Sequence, residues 1–139
     1  MRFVVVAAAL TVLGACNDTT PPIPADAIVG NWGLAPSPRD PPGSGESFFL
    51  QRNGQTLTGT GTFTGEAGPF GTIDIAGTVV GDSVQLDLTF KLDAIFGGGV
   101  ARIEHFRGQL KSASDLAGML AVDGQPAVAV TYKKYYLLD

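Results

Sequence analysis

From Ile28 onward, apolar and polar residues alternate with a period of two. Val84, Leu86, Leu88, Phe90 and Leu92 interleave with Ser83, Gln85, Asp87, Thr89 and Lys91, the pattern of a half-buried antiparallel strand. Leu57, Gly59, Gly61 and Phe63 alternate with a row of threonines from Thr56 to Thr64, whose β-branched side chains suit an exposed pleated face. The same beat returns at Ile73, Ile75, Gly77 and Val79, at Leu116, Gly118, Leu120 and Val122, and at Val128, Val130 and Tyr132. Between the runs lie Asn53-Gly54, Gly81-Asp82 and Asp123-Gly124, pairs that accept positive φ and match the twist of hairpins. Ser112-Ala113-Ser114-Asp115 supplies a fourth turn.

This pattern predicts eight strands, at about 28–35, 46–53, 55–65, 71–80, 83–92, 100–110, 115–123 and 127–135. No helical period intervenes, so the expected fold is all-β: an antiparallel up-and-down meander. Eight strands in a row leave two edges, and closure into a barrel removes them. Glycines at Gly30, Gly77, Gly108 and Gly118, each between apolar residues two positions away, fall where strands of a small barrel must bend or approach closely.

Residues 1–15 break the beat. One charge at Arg2 precedes an apolar run from Phe3 to Leu13, and Gly14 and Ala15 close it, the order of a secretory signal. The run is about half of the ~20 residues that span a bilayer. Leu13-Gly14-Ala15-Cys16 resembles the bacterial lipobox. That resemblance implies cleavage before Cys16, lipid on its sulfur and anchoring to the membrane of the cell envelope. It also accounts for a single cysteine in an exported chain. The polar, proline-rich stretch to Pro24 reads as an extended tether. The expected organisation is therefore a signal peptide at 1–15, the lipidated cysteine and tether at 16–26, and a barrel domain at 27–139. Asn17 stands where an inner-membrane retention signal would have Asp. Asp18 follows directly, so this cue leaves both membranes open; the expectation carried forward is the periplasmic face of the outer membrane over the inner membrane.

Gly30-Asn31-Trp32 on the first strand resembles the Gly-x-Trp triplet of the lipocalin and avidin group of meander barrels, the calycins. The resemblance implies a basic residue near the last strand packed over the tryptophan, pairing Trp32 with Lys133, or with the adjacent Lys134. It also implies that the loop at 36–45 lies at the mouth of a cavity for a small apolar ligand.

Composition narrows the chemistry. The net charge is −4, and loss of Arg2 makes it one unit more negative. With no basic cluster, the chain lacks the surface that nucleic acid requires. One histidine, His105, and one cysteine cannot build a zinc site of three or four such ligands. No Gly-x-Ser-x-Gly elbow accompanies His105. Gly97-Gly98-Gly99 lacks the Lys-Ser/Thr of a phosphate loop and reads as a hairpin loop. Asp74, Asp87 and Glu104 read as solvated charges if the barrel exterior is polar. Arg102 and Glu104, however, share a strand face with Phe106. Either a bulge shifts that register, or the two form a polar pair at the barrel mouth. The expectation is a non-enzymatic module without cofactor or metal. It would bind a small apolar ligand, or alternatively an envelope protein such as a hydrolase; an enzyme is the third option. Tyr135-Tyr136-Leu137-Leu138 either extends the last strand or offers an edge to a partner.

Overall fold

The computed structural model describes residues 21–34, 45–65 and 68–136. Cys16 and the signal segment, the loop from 36 to 44, and Leu137-Leu138 lie outside the described residues. The strands are β1 (Gly30–Leu34), β2 (Gly45–Asn53), β3 (Thr56–Gly65), β4 (Gly68–Val80), β5 (Ser83–Leu92), β6 (Val100–Leu110), β7 (Asp115–Val122) and β8 (Val128–Tyr135). Each pairs antiparallel with the next, and β1 pairs with β8 to close the barrel. The eight expected strands are all present, with ends that agree to within three residues. β4 starts earlier than its apolar run because a register shift between Phe63 and Thr64 lets Thr64 meet Pro69.

The two-residue hairpins β2–β3 and β4–β5 each place a glycine at the first central position, Gly54 and Gly81, both with φ near 61°. That is the arrangement whose twist suits neighbouring strands. These hairpins, with the β6–β7 turn, form one end of the barrel, here the base. The β3–β4, β5–β6 and β7–β8 connections surround the other end, the mouth. A short 3-10 turn at Ala94–Phe96 sits on the mouth rim.

The inward face follows the period-two pattern. Val84, Leu86, Leu88 and Phe90 of β5 are all buried, with exposed or half-buried residues between them. Trp32, Phe48, Phe106 and Tyr132 are fully buried in the interior. Tyr132 meets Phe48 and Phe106 edge to face, at centroid separations of 5.0 and 5.5 Å. Each fully buried side chain of this size stabilises the fold by about 1.5–3 kcal/mol. Rings this large fit only because glycines stand opposite them. Gly108 and Gly118 are register partners, and the Phe106 ring lies across both. A Cβ on Gly108 would come within 2.4 Å of Phe106 Cζ and of the Ala117 carbonyl oxygen.

The base is closed by chain preceding β1. Ala27 and Ile28 are buried, and Ile23 packs against the core. Arg52 Nη1 donates to the Ala25 carbonyl, and Trp32 Nε1 donates to the Ile28 carbonyl at 2.8 Å. The expected tether of 16–26 is thus corrected at its C-terminal end. Ile23 has apolar surface to bury, so attachment begins there. Among the described residues, the hydrogen-bonded ring and its core lie between Ile23 and Tyr135, and a chain beginning at Pro21 retains all of them.

Gly108→Val is expected to lower stability by at least about 2 kcal/mol through overpacking against Phe106 and the neighbouring backbone, read as a reduced urea midpoint. An unchanged midpoint would contradict the close packing of this wall.

Candidate functional site

Alternation along β6 sends Arg102, Glu104, Phe106, Gly108 and Leu110 inward. The register shift on this strand lies between Phe90 and Lys91, where Phe90 faces Arg102 and Lys91 faces Val100. The bulge is therefore above Arg102, on its mouth side, and leaves Arg102, Glu104 and Phe106 on one face. Alternation along β2 likewise sends Glu46, Phe48 and Leu50 inward. Together these strands place three ionisable side chains inside the wall at the mouth end.

Arg102 Nε donates to Glu104 Oε1 at 2.5 Å, and Arg102 Nη2 donates to Glu46 Oε1 at 3.1 Å. The guanidinium carbon stands 3.8 Å above the Phe90 ring centre and 5.6 Å from that of Phe63, close enough for cation–π attraction. Exposure falls inward through the cluster: the side chains of Arg102, Glu46 and Glu104 are 37%, 14% and 6% accessible. The arginine is thus reachable from the mouth, while Glu104 is sealed in the wall. A carboxylate so buried is tolerable only when paired with a cation and hydrogen-bonded. Arg102 provides this for Oε1. Glu104 Oε2 has no hydrogen-bond partner among the described residues.

Tyr132 lies next to this cluster. Its side chain is fully buried, and its hydroxyl also has no partner among the described residues. Burial pushes the hydroxyl pKa well above its ordinary value of 10. The negative charges of Glu46 and Glu104 raise it further, against an opposing effect of Arg102. A file of rings leads outward from the cluster: Phe90, Phe63, Phe70 and Phe96, with successive centroids 5.2, 6.5 and 4.9 Å apart.

At the base, the basic residue over Trp32 is Lys134, not Lys133. Lys134 is the register partner of Trp32 and lies on the same inward face. Its ammonium is 5.7 Å from the indole centre and donates to the Ala27 carbonyl at 2.8 Å. Lys133, one residue away, points outward and pairs with Asp115. That ammonium, together with the Ser112 hydroxyl, holds the Asp115 carboxyl below its ordinary value.

The other charges divide as alternation requires. Asp74 pairs with Lys91 on the outer wall. His105 Nδ1 lies 2.7 Å from Asp87 Oδ1, also outside. Glu104 departs from the expectation of a solvated charge, because it shares the face of Phe106. Among the described residues, no group of three or more His, Cys, Asp or Glu could hold a metal ion. No helix among them is long and apolar enough to cross a membrane. Glu46 drew no expectation from the sequence, and Tyr132 entered only as a member of an apolar row. The signal for both was present, since Glu46-x-Phe48-x-Leu50 and Val130-x-Tyr132-x-Lys134 each continue an inward row.

No family model and no curated protein matches the chain. Among solved structures it is similar to a redesigned β-barrel, mFAP1, bound to DFHBI. The identity is 16% and the TM-score 0.56, over 79% of this chain and 96% of that one. A second redesigned β-barrel, b11L5F_LGL, is similar at 16% identity and a TM-score of 0.57, over 80% of this chain and 94% of that one. Likeness at this identity establishes the barrel fold.

Removing a buried hydroxyl that has no partner costs little, so Tyr132→Phe is expected to leave stability at pH 7 unchanged or raise it by up to about 1 kcal/mol. At alkaline pH the variant gains more. Above about pH 10 the unfolded chain ionises its tyrosine while the folded chain resists. Wild-type stability therefore falls by up to about 1.4 kcal/mol per pH unit through this group, and the variant lacks that slope. Denaturant titrations at pH 7 and pH 10.5 check both expectations. A loss of several kcal/mol at pH 7 would mean that the hydroxyl is satisfied.

Proposed function

We propose that this chain is an envelope-anchored lipoprotein whose barrel is a non-enzymatic module binding a small ligand with an apolar body at the mouth. The observation that carries the binding role is the inward Arg102–Glu104 pair, joined by Glu46, in an otherwise apolar lining. A purely structural barrel fills this position with hydrocarbon at lower cost, since a buried ion pair gains little over well-packed apolar side chains. The file of rings from Phe90 to Phe96 offers apolar surface beside the charged group. Binding sites typically combine such surface with a few placed polar groups. Trp32, Phe48, Phe106 and Tyr132 are fully buried in the interior, so the exposed Arg102 side of the cluster is the part a ligand can reach. The similar redesigned barrel mFAP1 is bound to DFHBI. The anchor rests on Leu13-Gly14-Ala15-Cys16.

A second reading draws on the rim. Ile95 is 84% exposed, and Phe96, Val100 and Val128 are exposed near it in the mouth-end connections and strand ends. Apolar residues gathered in this way suit contact with another envelope protein, such as a hydrolase inhibited by this domain.

Two measurements test the proposal. Labelling with a radioactive lipid precursor is expected to mark the wild-type chain and not Cys16→Ser; label retained in the variant would refute the anchor. An environment-sensitive apolar dye is expected to saturate one site on the chain beginning at Pro21. Phe63→Ser should weaken that binding about tenfold, the effect of roughly 1.4 kcal/mol. Uptake without saturation, or indifference to Phe63→Ser, would refute the binding site and favour the protein-contact reading.

A further inference from the structure

The geometry points to a second binding site, on the outer wall of the barrel and independent of the mouth: a platform across β8, β1, β2 and β3 that takes an extended neutral glycan. Backbone register lines up its parts. Tyr135 of β8 faces Asn31 of β1, Asn31 faces Phe49 of β2, and Phe49 faces Thr60 of β3. Trp32, Phe48 and Leu50 are buried, so alternation turns Asn31 and Phe49 outward. Phe49 is 38% exposed and Tyr135 36%. One step towards the base, Gln51 faces Thr58, and Phe49, Gln51, Thr58 and Thr60 line an open hollow.

A lone exposed phenylalanine is ordinary on a protein surface; what stands beside this one gives it a use. Adjacent strands lie about 4.8 Å apart, so Tyr135 and Phe49, two strands from each other, are about 10 Å apart along the row. A pyranose unit advances an extended glycan by about one such spacing, so the two rings suit alternate sugars. On the mouth side of Asn31, Gly33 has no side chain to rise above the platform, and the Tyr135 ring lies beside it, 3.4 Å from where a Cβ would stand.

The chemistry of the lining selects among ligands. The C–H faces of a sugar ring carry partial positive charge and match the negative face of an aromatic ring. The amides of Asn31 and Gln51 and the hydroxyls of Thr58 and Thr60 can each donate and accept, as sugar hydroxyls do. None of these four side chains has a hydrogen-bond partner among the described residues. No charged side chain lines the hollow, and Asp74, next along the row from Thr60, is paired with Lys91. A charged ligand therefore finds no counter-charge here. A purely apolar one would strip water from the amides and hydroxyls without replacing it. A peptide adding as a strand would need a sheet edge, which the closed ring lacks.

Calorimetric titration of the full chain, held in a sugar-free detergent, with cellotetraose and with tetra-N-acetylchitotetraose tests this. Both probes are neutral, extended and 1,4-linked, and they differ in the acetamido group. Both are expected to bind, with Kd below about 1 mM. A tenfold preference for the chitotetraose assigns the site to acetamido glycans, and its absence assigns it to the ring faces and hydroxyls the two share. Phe49→Ala should weaken binding at least tenfold, and Tyr135→Ala severalfold. Phe49→Trp, with a larger face, should bind at least as well as the wild type. Phe63→Ser, at the mouth, should leave glycan affinity unchanged. Binding of neither glycan overturns the inference, as does binding that survives Phe49→Ala or is lost in Phe63→Ser. The dye measurement at the mouth is unaffected by any of these results, so the two sites stand or fall separately.

Discussion

Pairing of β1 with β8 turns a strip of eight strands into a ring, and the rest of the molecule answers to that closure. A closed ring has no edge to protect, and it divides every strand into residues that face water and residues that face each other. The interior is narrow, so what enters it is selected by size as well as polarity. Gly108 and Gly118 make way for Phe106, and the glycines on β3 and β4 do the same for Phe48, Leu50 and Leu86. The seam at Trp32 and Lys134 is fastened by the indole hydrogen bond to Ile28, by the ammonium above the ring, and by the chain folded under the base.

Within such a ring, a charged residue on the inner face cannot turn away to solvent. Near the mouth, Arg102 retains partial contact with water and links a half-buried Glu46 to a buried Glu104. The same geometry that makes Glu104 tolerable leaves its second oxygen, and the Tyr132 hydroxyl, without partners among the described residues. Polar atoms kept in this condition set stability against recognition. Apolar replacements would make a firmer barrel and, under the proposed binding role, leave nothing at the mouth to distinguish one ligand from another.

Much of this was legible in the chain because the strand period is an integer. Strands, hairpins and ring follow from alternation and from glycine at the turns, and alternation also placed Arg102 and Glu104 on the face of Phe106. The same rule, carried two residues past Tyr132, selects Lys134 over Lys133 as the cover for Trp32; the family resemblance alone does not separate adjacent lysines. Glu46 joins the cluster through a contact 56 residues away in sequence, which depends on shear around the ring and has no local signal. The early attachment at Ile23 was hidden by the surrounding prolines. One isoleucine gives no period, and its packing against the core shows only in the fold, where it lines a hollow at the base with Gly81, Asp82 and Leu110.

With the proposed lipid anchor, the entry of the chain beneath the base would also give the barrel a polarity with respect to a membrane. Four residues lie between Cys16 and Pro21, five steps with a reach of at most about 18 Å, whereas strands of nine or ten residues, tilted as barrels require, stand about 25 Å tall. A lipid on Cys16 would therefore hold the foot of the barrel against the bilayer and direct its mouth into the aqueous compartment. Traffic through the mouth would be with dissolved molecules and facing proteins, and the anchoring leaflet would not supply it.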